Sequence, residues 1–254
     1  MLRIDLNCDM GEGFGKYQMA NDEKLMDYIT SANIACGFHA GDPATMYTTV
    51  KLALQKGVAI GAHPGLPDLQ GFGRRELEIT DAEAYQLCLY QMGALDGFVK
   101  ALGGLLNHVK PHGALYNMAA KDLNIARALA TSIKDFNPNL KLYALAGSQM
   151  ITAAEEIGLT AISEVFADRT YQDDGSLTPR SSPNALIADK RLAAEQVLMM
   201  VKEGKVVSQN NHVVAIVAET ICLHGDAEHA LPFAQSVAFA LKNEGINIKA
   251  RDDD

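Results

Sequence analysis

The stretch Ala32-Asn-Ile-Ala-Cys-Gly-Phe-His-Ala-Gly-Asp42 is a mostly apolar run that ends abruptly in a turn. The turn carries one imidazole, two glycines and one carboxylate. A short apolar segment followed by a histidine close to a glycine occurs at three other places in the chain. The other copies are Ala62-His-Pro-Gly65, Lys110-Pro-His-Gly113 and Cys222-Leu-His-Gly-Asp226. We interpret the four as strand ends that contribute to one site.

Strand-like segments of four to six residues alternate with helical patterns, which is typical of a parallel α/β protein. We count seven barrel strands and predict one seven-stranded (β/α) barrel, a distorted TIM-like barrel, over residues 1–254. An open doubly wound sheet is the alternative, but it gathers its ligands at one crevice. Chemically reactive residues here follow six different strands, which favours a closed barrel with its site at the strand carboxyl ends.

Two segments interrupt the alternation of strands and helices. Residues 166–184 are polar, contain glycine and proline, and are too long for a simple connection, so they form a candidate lid. Residues 205–216 resemble a small hairpin that turns at Asn210 and Asn211.

Composition excludes several classes of function. A net charge of -9 argues against a nucleic-acid surface, which needs clustered lysine and arginine. The four cysteines are far apart and form no paired metal-binding motif, which favours reduced thiols and a cytoplasmic location. We find no signal peptide and no run of ~18 apolar residues, so no membrane contact is expected.

The histidines carry the prediction of an active site. One histidine at a strand end is more often a hydrogen-bonded structural residue than a ligand, but a barrel directs four such ends to one mouth. Carboxylates after the first strand and a lysine after the fourth join them. The predicted catalytic residues are Asp9, Glu12, His39, His63, Lys110, His112 and His224.

Imidazoles mixed with carboxylates serve two kinds of chemistry. They hold a divalent metal that activates water, or they act without metal as general acids and bases. The residues are spread along the chain, so their spacing does not decide between the two. For Asp42 and Asp226 the simpler role is helix capping, which leaves a second role open.

Cationic side chains near the strand ends suit an anionic substrate. Lys110 can donate to a developing oxyanion or bind a carboxylate. Arg74 with Arg75 can clamp an anion, and arginines of the candidate lid can do the same. The predicted substrate-binding residues are Asp42, Arg74, Asp168, Arg169, Arg180 and Asp226. The glycine-rich loop 11–16 matches no phosphate-binding motif.

Long motifs in this chain resemble the LamB/YcsF family, the family of the A component of the ATP-hydrolysing 5-oxoprolinase. The resemblance spans almost the whole chain, in order. The motifs are Asn7-Cys-Asp-Met-Gly-Glu12, Ala32–Asp42, Gly61-Ala-His-Pro-Gly65, Gly71-Phe-Gly-Arg-Arg75, Val109-Lys-Pro-His-Gly-Ala-Leu-Tyr116, Glu164-Val-Phe-Ala-Asp-Arg-Thr-Tyr171 and Thr220-Ile-Cys-Leu-His-Gly-Asp226. Leu66, where an aromatic residue is common, is a minor departure.

The resemblance implies a barrel of the glycoside hydrolase/deacetylase type. It also implies ATP-dependent opening of the lactam ring of 5-oxo-L-proline (pyroglutamate) to L-glutamate, together with separate 5-oxoprolinase subunits B and C. ATP is then a cofactor shared with the partner subunits, and a divalent metal is expected either as Mg²⁺ with ATP or as a site metal. Self-association into a homo-oligomer is left open.

Two other classes of function remain at this point. The first is a stand-alone metal-dependent amidohydrolase or deacetylase, which would turn over without ATP. The second is a non-catalytic binding subunit of a lactam-utilisation complex, in which changes at the mouth would alter assembly but not chemistry.

Overall fold

The computed structural model describes residues 2–15, 17, 19, 21–223 and 230–250. The strands are β1 (Arg3–Met10), β2 (Ser31–Ala35), β3 (Ala59–His63), β4 (Leu106–Val109), β5 (Lys141–Leu145), β6 (Ala161–Phe166), β7 (Lys205–Val207), β8 (Val213–Ala215), β9 (Thr220–Leu223) and β10 (Asn247–Ile248). The helices are α1 (Asp22–Leu25), α2 (Pro43–Lys56), α3 (Asp81–Ala101), α4 (Gly113–Lys121), α5 (Leu123–Phe136), α6 (Gln149–Ile157), α7 (Lys190–Glu203) and α8 (Ala230–Asn243).

Seven of the strands form a closed parallel barrel. Their order is β1-β2-β3-β4-β5-β6-β9, and β9 pairs with β1 to close the ring. The predicted seven-stranded (β/α) barrel is therefore confirmed. The doubly wound alternative is wrong, because an open sheet would leave β1 and β9 at its edges. Strand β10 pairs in parallel with the first residues of β1, where Asn247 lies opposite Arg3.

Local signals position the helices. Asp42 caps α2 by accepting a hydrogen bond from the Thr45 amide, and Gly57 ends the helix with a φ of 67°. Thr80 and Glu83 form the capping box that opens α3. Within the part of the chain that the structure describes, no helix has the length and apolarity to cross a membrane.

The interior of the barrel is polar along β1. Asp5 and Asn7 are fully buried and alternate with apolar residues of the same strand. The hydroxyls of Thr30, Ser31 and Thr220 all donate to Asp5. Burial nevertheless raises the pKa of Asp5 above its usual value, which these hydrogen bonds partly offset.

His108 fills the interior beside this layer. Its Nε2 lies 2.8 Å from Asn33 Oδ1, and its ring stacks on Tyr143 at 4.1 Å between centroids. Gly61 on β3 makes the room, since a Cβ there would overlap the His108 ring. Burial lowers the pKa of His108 to about 3, so the ring is neutral. These contacts give His108 a structural role in the barrel interior.

The segment that follows β6 packs against the hairpin of β7 and β8. These two strands are antiparallel, and Asn211 at their turn has a φ of 61°. Tyr171 bridges to Leu177 and to Ser208, so the segment and the hairpin are joined. Movement of residues 166–184 as a lid stays a prediction.

Candidate active site

Four side chains from four successive strand ends converge at the mouth of the barrel. Glu12 follows β1, His39 follows β2, His63 ends β3 and His112 follows β4. One ligand atom from each lies within 4.8 Å of every other, and all four residues are buried. This group could hold a metal ion. The predicted residues His224 and Asp226 lie outside the described residues.

Backbone carbonyl groups fix the orientation of two of the histidines. His63 Nδ1 lies 2.6 Å from the Lys110 carbonyl oxygen, and His112 Nε2 lies 2.8 Å from the Phe72 carbonyl oxygen. A carbonyl oxygen only accepts, so the proton is on Nδ1 of His63 and on Nε2 of His112. Burial lowers the pKa of His112 to about 3.

His39 lies flat against His112, with ring centroids 3.7 Å apart and planes 6° from parallel. Neither ring nitrogen of His39 has a hydrogen-bond partner among the described residues. Burial, followed by the nearby His112 and His63, lowers the pKa of His39 well below its usual value. Two glycines of the loop after β3 allow this contact. A Cβ on Gly65 would lie 2.5 Å from His39 Nδ1, and a Cβ on Gly73 would lie 2.6 Å from His39 Cβ.

Lys110 is buried beside the histidines and has several partners. Its Nζ lies 2.9 Å from Asp9 Oδ1, 2.9 Å from Glu164 Oε1, 3.1 Å from Asn7 Oδ1 and 3.1 Å from Cys222 Sγ. Burial alone would lower the pKa of Lys110, but the carboxylates of Asp9 and Glu164 beside the ammonium raise it well above its usual value. The amine is therefore a charged donor and no nucleophile.

Asp9 connects the lysine to the histidines. Its Oδ1 accepts from Lys110 and from the Asn33 amide at 2.8 Å. Its Oδ2 lies 3.4 Å from His63 Nε2. The Asp9 side chain is 12% exposed, against 3% for Lys110, so Asp9 lies nearer to solvent.

Sequence reasoning missed Glu164 as a site residue. Glu164 is fully buried on β6, accepts the Tyr116 hydroxyl at 2.6 Å and accepts the Asn7 amide at 2.9 Å, in addition to its ion pair with Lys110. A carboxylate inside a mostly apolar strand was the available signal. Tyr116, Asn7 and Asn33 were missed as well, although Asn7 alternates with Asp9.

The predicted substrate-binding residues have different environments. Asp42 is occupied by the Thr45 and Gly15 amides, and these backbone donors lower its pKa. Arg75 is ion-paired with Asp68, which therefore has a pKa lowered to about 2. Arg75 thus has a carboxylate partner within the chain, and an anion clamp formed with Arg74 stays a prediction.

Arg74 has its guanidinium 4.9 Å from the centroid of the Phe72 ring, which also lies edge-on to the rings of His39 and His112. This position places an exposed cation next to the histidine cluster. Of the predicted arginines it has the clearest relation to that cluster.

The residues of the candidate lid follow β6 and differ in burial. Arg169 is buried and donates to the carbonyl groups of Thr178 and Ala185, and burial lowers its pKa to about 10. Burial raises the pKa of the Cys222 thiol, which lies next to Lys110. The negative charge of Asp168 raises it further. Arg180 is exposed.

Known proteins share this fold and much of this sequence. The chain is 59% identical over 251 residues to the A component of 5-oxoprolinase from Brevibacillus brevis, covering 99% of each chain. It is 56% identical over 250 residues to the protein of the same name from Bacillus subtilis, covering 98% of this chain and 97% of the other. The lactam utilization protein from Thermus thermophilus has the same fold, with a TM-score of 0.94, 44% identity and coverage of 98% and 100%. The model of the LamB/YcsF family matches residues 4–253, and the chain therefore belongs to the LamB/YcsF family.

Proposed function

We propose that this chain is the A component of an ATP-dependent 5-oxoprolinase, which opens the lactam ring of 5-oxo-L-proline to give L-glutamate. The observation that carries the proposal is the 59% identity, over 99% of both chains, to a relative named as that component of 5-oxoprolinase. Because that relative is named as one subunit of an enzyme, we propose an assembly with subunits B and C. A cytoplasmic location fits the four unpaired cysteines, all of them buried.

The chemical problem is the stability of the substrate amide. A five-membered lactam is a resonance-stabilised amide, and unaided attack by water is slow. Transfer of the γ-phosphoryl group of ATP to the amide oxygen releases ADP and leaves a far better electrophile. Water then adds to the carbon, the C–N bond breaks, and the nitrogen takes a proton. A second water hydrolyses the resulting acyl phosphate to glutamate and phosphate.

The cluster at the barrel mouth suits the step in which water attacks. Asp9 Oδ2 lies 3.4 Å from His63 Nε2 at the mouth, so this carboxylate is placed to take the proton of the attacking water. His112 donates its Nε2 proton to the Phe72 carbonyl oxygen. We therefore assign His112 a role in shaping the pocket and not in donating a proton to the substrate. Glu12 lies 3.5 Å from His112 Nδ1 and adds a second carboxylate.

Lys110 contributes to this step by binding Asp9 from the barrel interior. Its ammonium is already shared between Asp9 and Glu164, so we assign it the role of holding Asp9 in place rather than binding substrate. Arg74, exposed next to the histidines, is better placed to bind the substrate carboxylate or the phosphoryl group. Asp42, Asp168, Arg169 and Arg180 remain proposed substrate-binding residues.

ATP is proposed to bind mainly with the partner subunits, with Mg²⁺ accompanying the nucleotide. In the glycine-rich loop after β1, the Gly11 amide donates to Asp22 and the Gly15 amide donates to Asp42. These amides are engaged by carboxylates of the chain itself and are not presented to a phosphate.

Reconstitution tests the proposal. Glutamate formation from 5-oxo-L-proline is measured for this chain alone and with subunits B and C, each with and without ATP. We expect turnover only with partners and ATP, and its loss in His63→Ala and His112→Ala, with His212→Ala on the exposed hairpin as the control. Retained activity in the first two variants would refute the assignment. Unchanged chemistry with altered assembly would instead indicate a non-catalytic binding subunit.

A second candidate function is a stand-alone metal-dependent amidohydrolase. The buried group of Glu12, His39, His63 and His112 favours it, since this donor set can hold a catalytic metal. It requires turnover by the chain alone without ATP, and the same reconstitution series decides the matter.

A further inference from the structure

The protonation of His63 and His112 creates an electrostatic conflict at the centre of the cluster. His63 donates through Nδ1 to the Lys110 carbonyl, so Nε2 of the neutral ring is a bare acceptor. His112 donates through Nε2 to the Phe72 carbonyl, so its Nδ1 is a bare acceptor too. These two bare nitrogens face each other at 3.0 Å. Two lone pairs at this distance repel unless a cation lies between them.

The surrounding atoms increase the demand for positive charge. Asp9 Oδ2 lies 3.4 Å from His63 Nε2, and Glu12 Oε1 lies 3.5 Å from His112 Nδ1. Glu12 Oε1 is also 3.6 Å from Nε2 of His39, whose ring nitrogens have no hydrogen-bond partner among the described residues. Three imidazole nitrogens and the carboxylate oxygens therefore converge on a buried point, an arrangement of facing acceptors that favours a cation.

The geometry points to a site for one divalent transition-metal ion, held by Glu12, His39, His63 through Nε2 and His112 through Nδ1. One ligand atom from each residue lies within 4.8 Å of every other. Two ligands of a tetrahedral ion with bonds of about 2.0–2.1 Å are about 3.3–3.4 Å apart. Three pairs in the cluster are separated by 3.0, 3.5 and 3.6 Å.

The second nitrogens of the two central rings support a metal rather than a shared proton. Metal-ligating histidines almost always donate their other N–H to a carboxylate, a carbonyl or water, and both His63 and His112 donate to a backbone carbonyl. A proton on the His63–His112 axis would satisfy that pair alone. It would leave the nitrogens of His39 unpartnered.

The donor set identifies the class of ion. Three imidazoles and one carboxylate suit Zn²⁺ and its first-row neighbours, whereas Mg²⁺ and Ca²⁺ require mostly oxygen ligands. Such an ion would supply positive charge that polarises a carbonyl or phosphoryl oxygen at the mouth. This goes beyond the Mg²⁺ expected with ATP, because the ion belongs to this chain and needs neither nucleotide nor partner.

Metal binding by the full chain tests the site directly. Protein stripped with a chelator is titrated with Zn²⁺ against a chromophoric competitor, and Co²⁺ is added separately to record visible absorption bands. The variants are His63→Gln and His112→Gln. The controls are His108→Gln, buried in the barrel interior, and His212→Gln, exposed beside Asp173.

We expect one tight Zn²⁺ per wild-type chain, with affinity reduced at least about 100-fold in His63→Gln and His112→Gln and unchanged in both controls. The Co²⁺ bands should disappear in the same two variants. Far-UV circular dichroism verifies folding. If either variant unfolds, Glu12→Gln replaces it and should also weaken Zn²⁺ binding.

Two results would overturn the site. One is the absence of stoichiometric Zn²⁺ binding by wild-type protein, with ¹⁵N NMR showing a protonated His63–His112 pair in its place. The other is tight binding that survives in folded His63→Gln and His112→Gln. Since neither measurement involves 5-oxo-L-proline, ATP or other subunits, failure of the metal site and failure of the proposed function are separate outcomes.

Discussion

Replacing Glu164 by glutamine tests whether buried charge holds the Lys110 ammonium in place. Glu164 is fully buried, and its Oε1 lies 2.9 Å from Lys110 Nζ. At an effective dielectric constant of 20, the attraction between two unit charges at this distance is about 6 kcal/mol. Removing one partner of a buried pair costs about 3–5 kcal/mol. Glutamine keeps the shape and one acceptor oxygen, and Asp9 still contacts Lys110, so we expect the free energy of unfolding to fall by about 3 kcal/mol.

The measurement is urea unfolding followed by far-UV circular dichroism, because the chain contains no tryptophan. Lys110→Met should destabilise more than Glu164→Gln, since it leaves two carboxylates without the ammonium. The double variant should be less destabilised than the sum of the two single changes, because the residues are in direct contact. Lys56→Met, which removes an exposed pair with Asp27, is the control and should leave the midpoint unchanged. A Glu164→Gln midpoint equal to that of wild type would refute the reasoning.

Two further changes address the histidines. Burial lowers the pKa of His108 to about 3, so the unfolded chain takes up its proton near pH ~6.5 while the folded chain does not. Stability should therefore be fully present above pH ~6.5 and fall by about 1.4 kcal/mol per pH unit per such histidine as the pH drops towards ~3. His108→Gln should flatten this dependence in urea unfolding at neutral and mildly acidic pH, and an identical slope would contradict it. Gly65→Ala should displace His39 and reduce glutamate formation at least about 10-fold, because its Cβ would lie 2.5 Å from His39 Nδ1. Gly93→Ala on helix α3, where a Cβ meets nothing within 4 Å, should keep full activity and unfold at slightly higher urea.

The position of the candidate active site could be predicted from one rule about parallel strands. Because the carboxyl ends of barrel strands share one face, the histidines after β2, β3 and β4 could be placed together without knowing the register. Asp9 and Glu12 joined them for the same reason. The helix caps at Asp42 and Thr80 were equally local and were read directly from short motifs.

The buried contacts of Glu164 beneath the barrel mouth could not be predicted in this way. Glu164 contacts Asn7, which is 157 positions away, and Tyr116, which is 48 positions away. Such contacts depend on barrel closure and on which strand faces which across the interior. The protonation of His63 depends likewise on a carbonyl of another strand end, at Lys110. The sequence contains these residues but not the pairing that gives them their roles.

Asp9 makes the buried interior and the mouth a single functional unit. Two donors, Lys110 and Asn33, hold its Oδ1, so the carboxylate has a fixed orientation and directs Oδ2 towards His63. Glu164 in turn binds the Lys110 ammonium at 2.9 Å. Burying this many charges is costly and is weak evidence for stability by itself. The arrangement is better explained by function, because a side chain that never reaches the mouth still determines where the Asp9 carboxylate points.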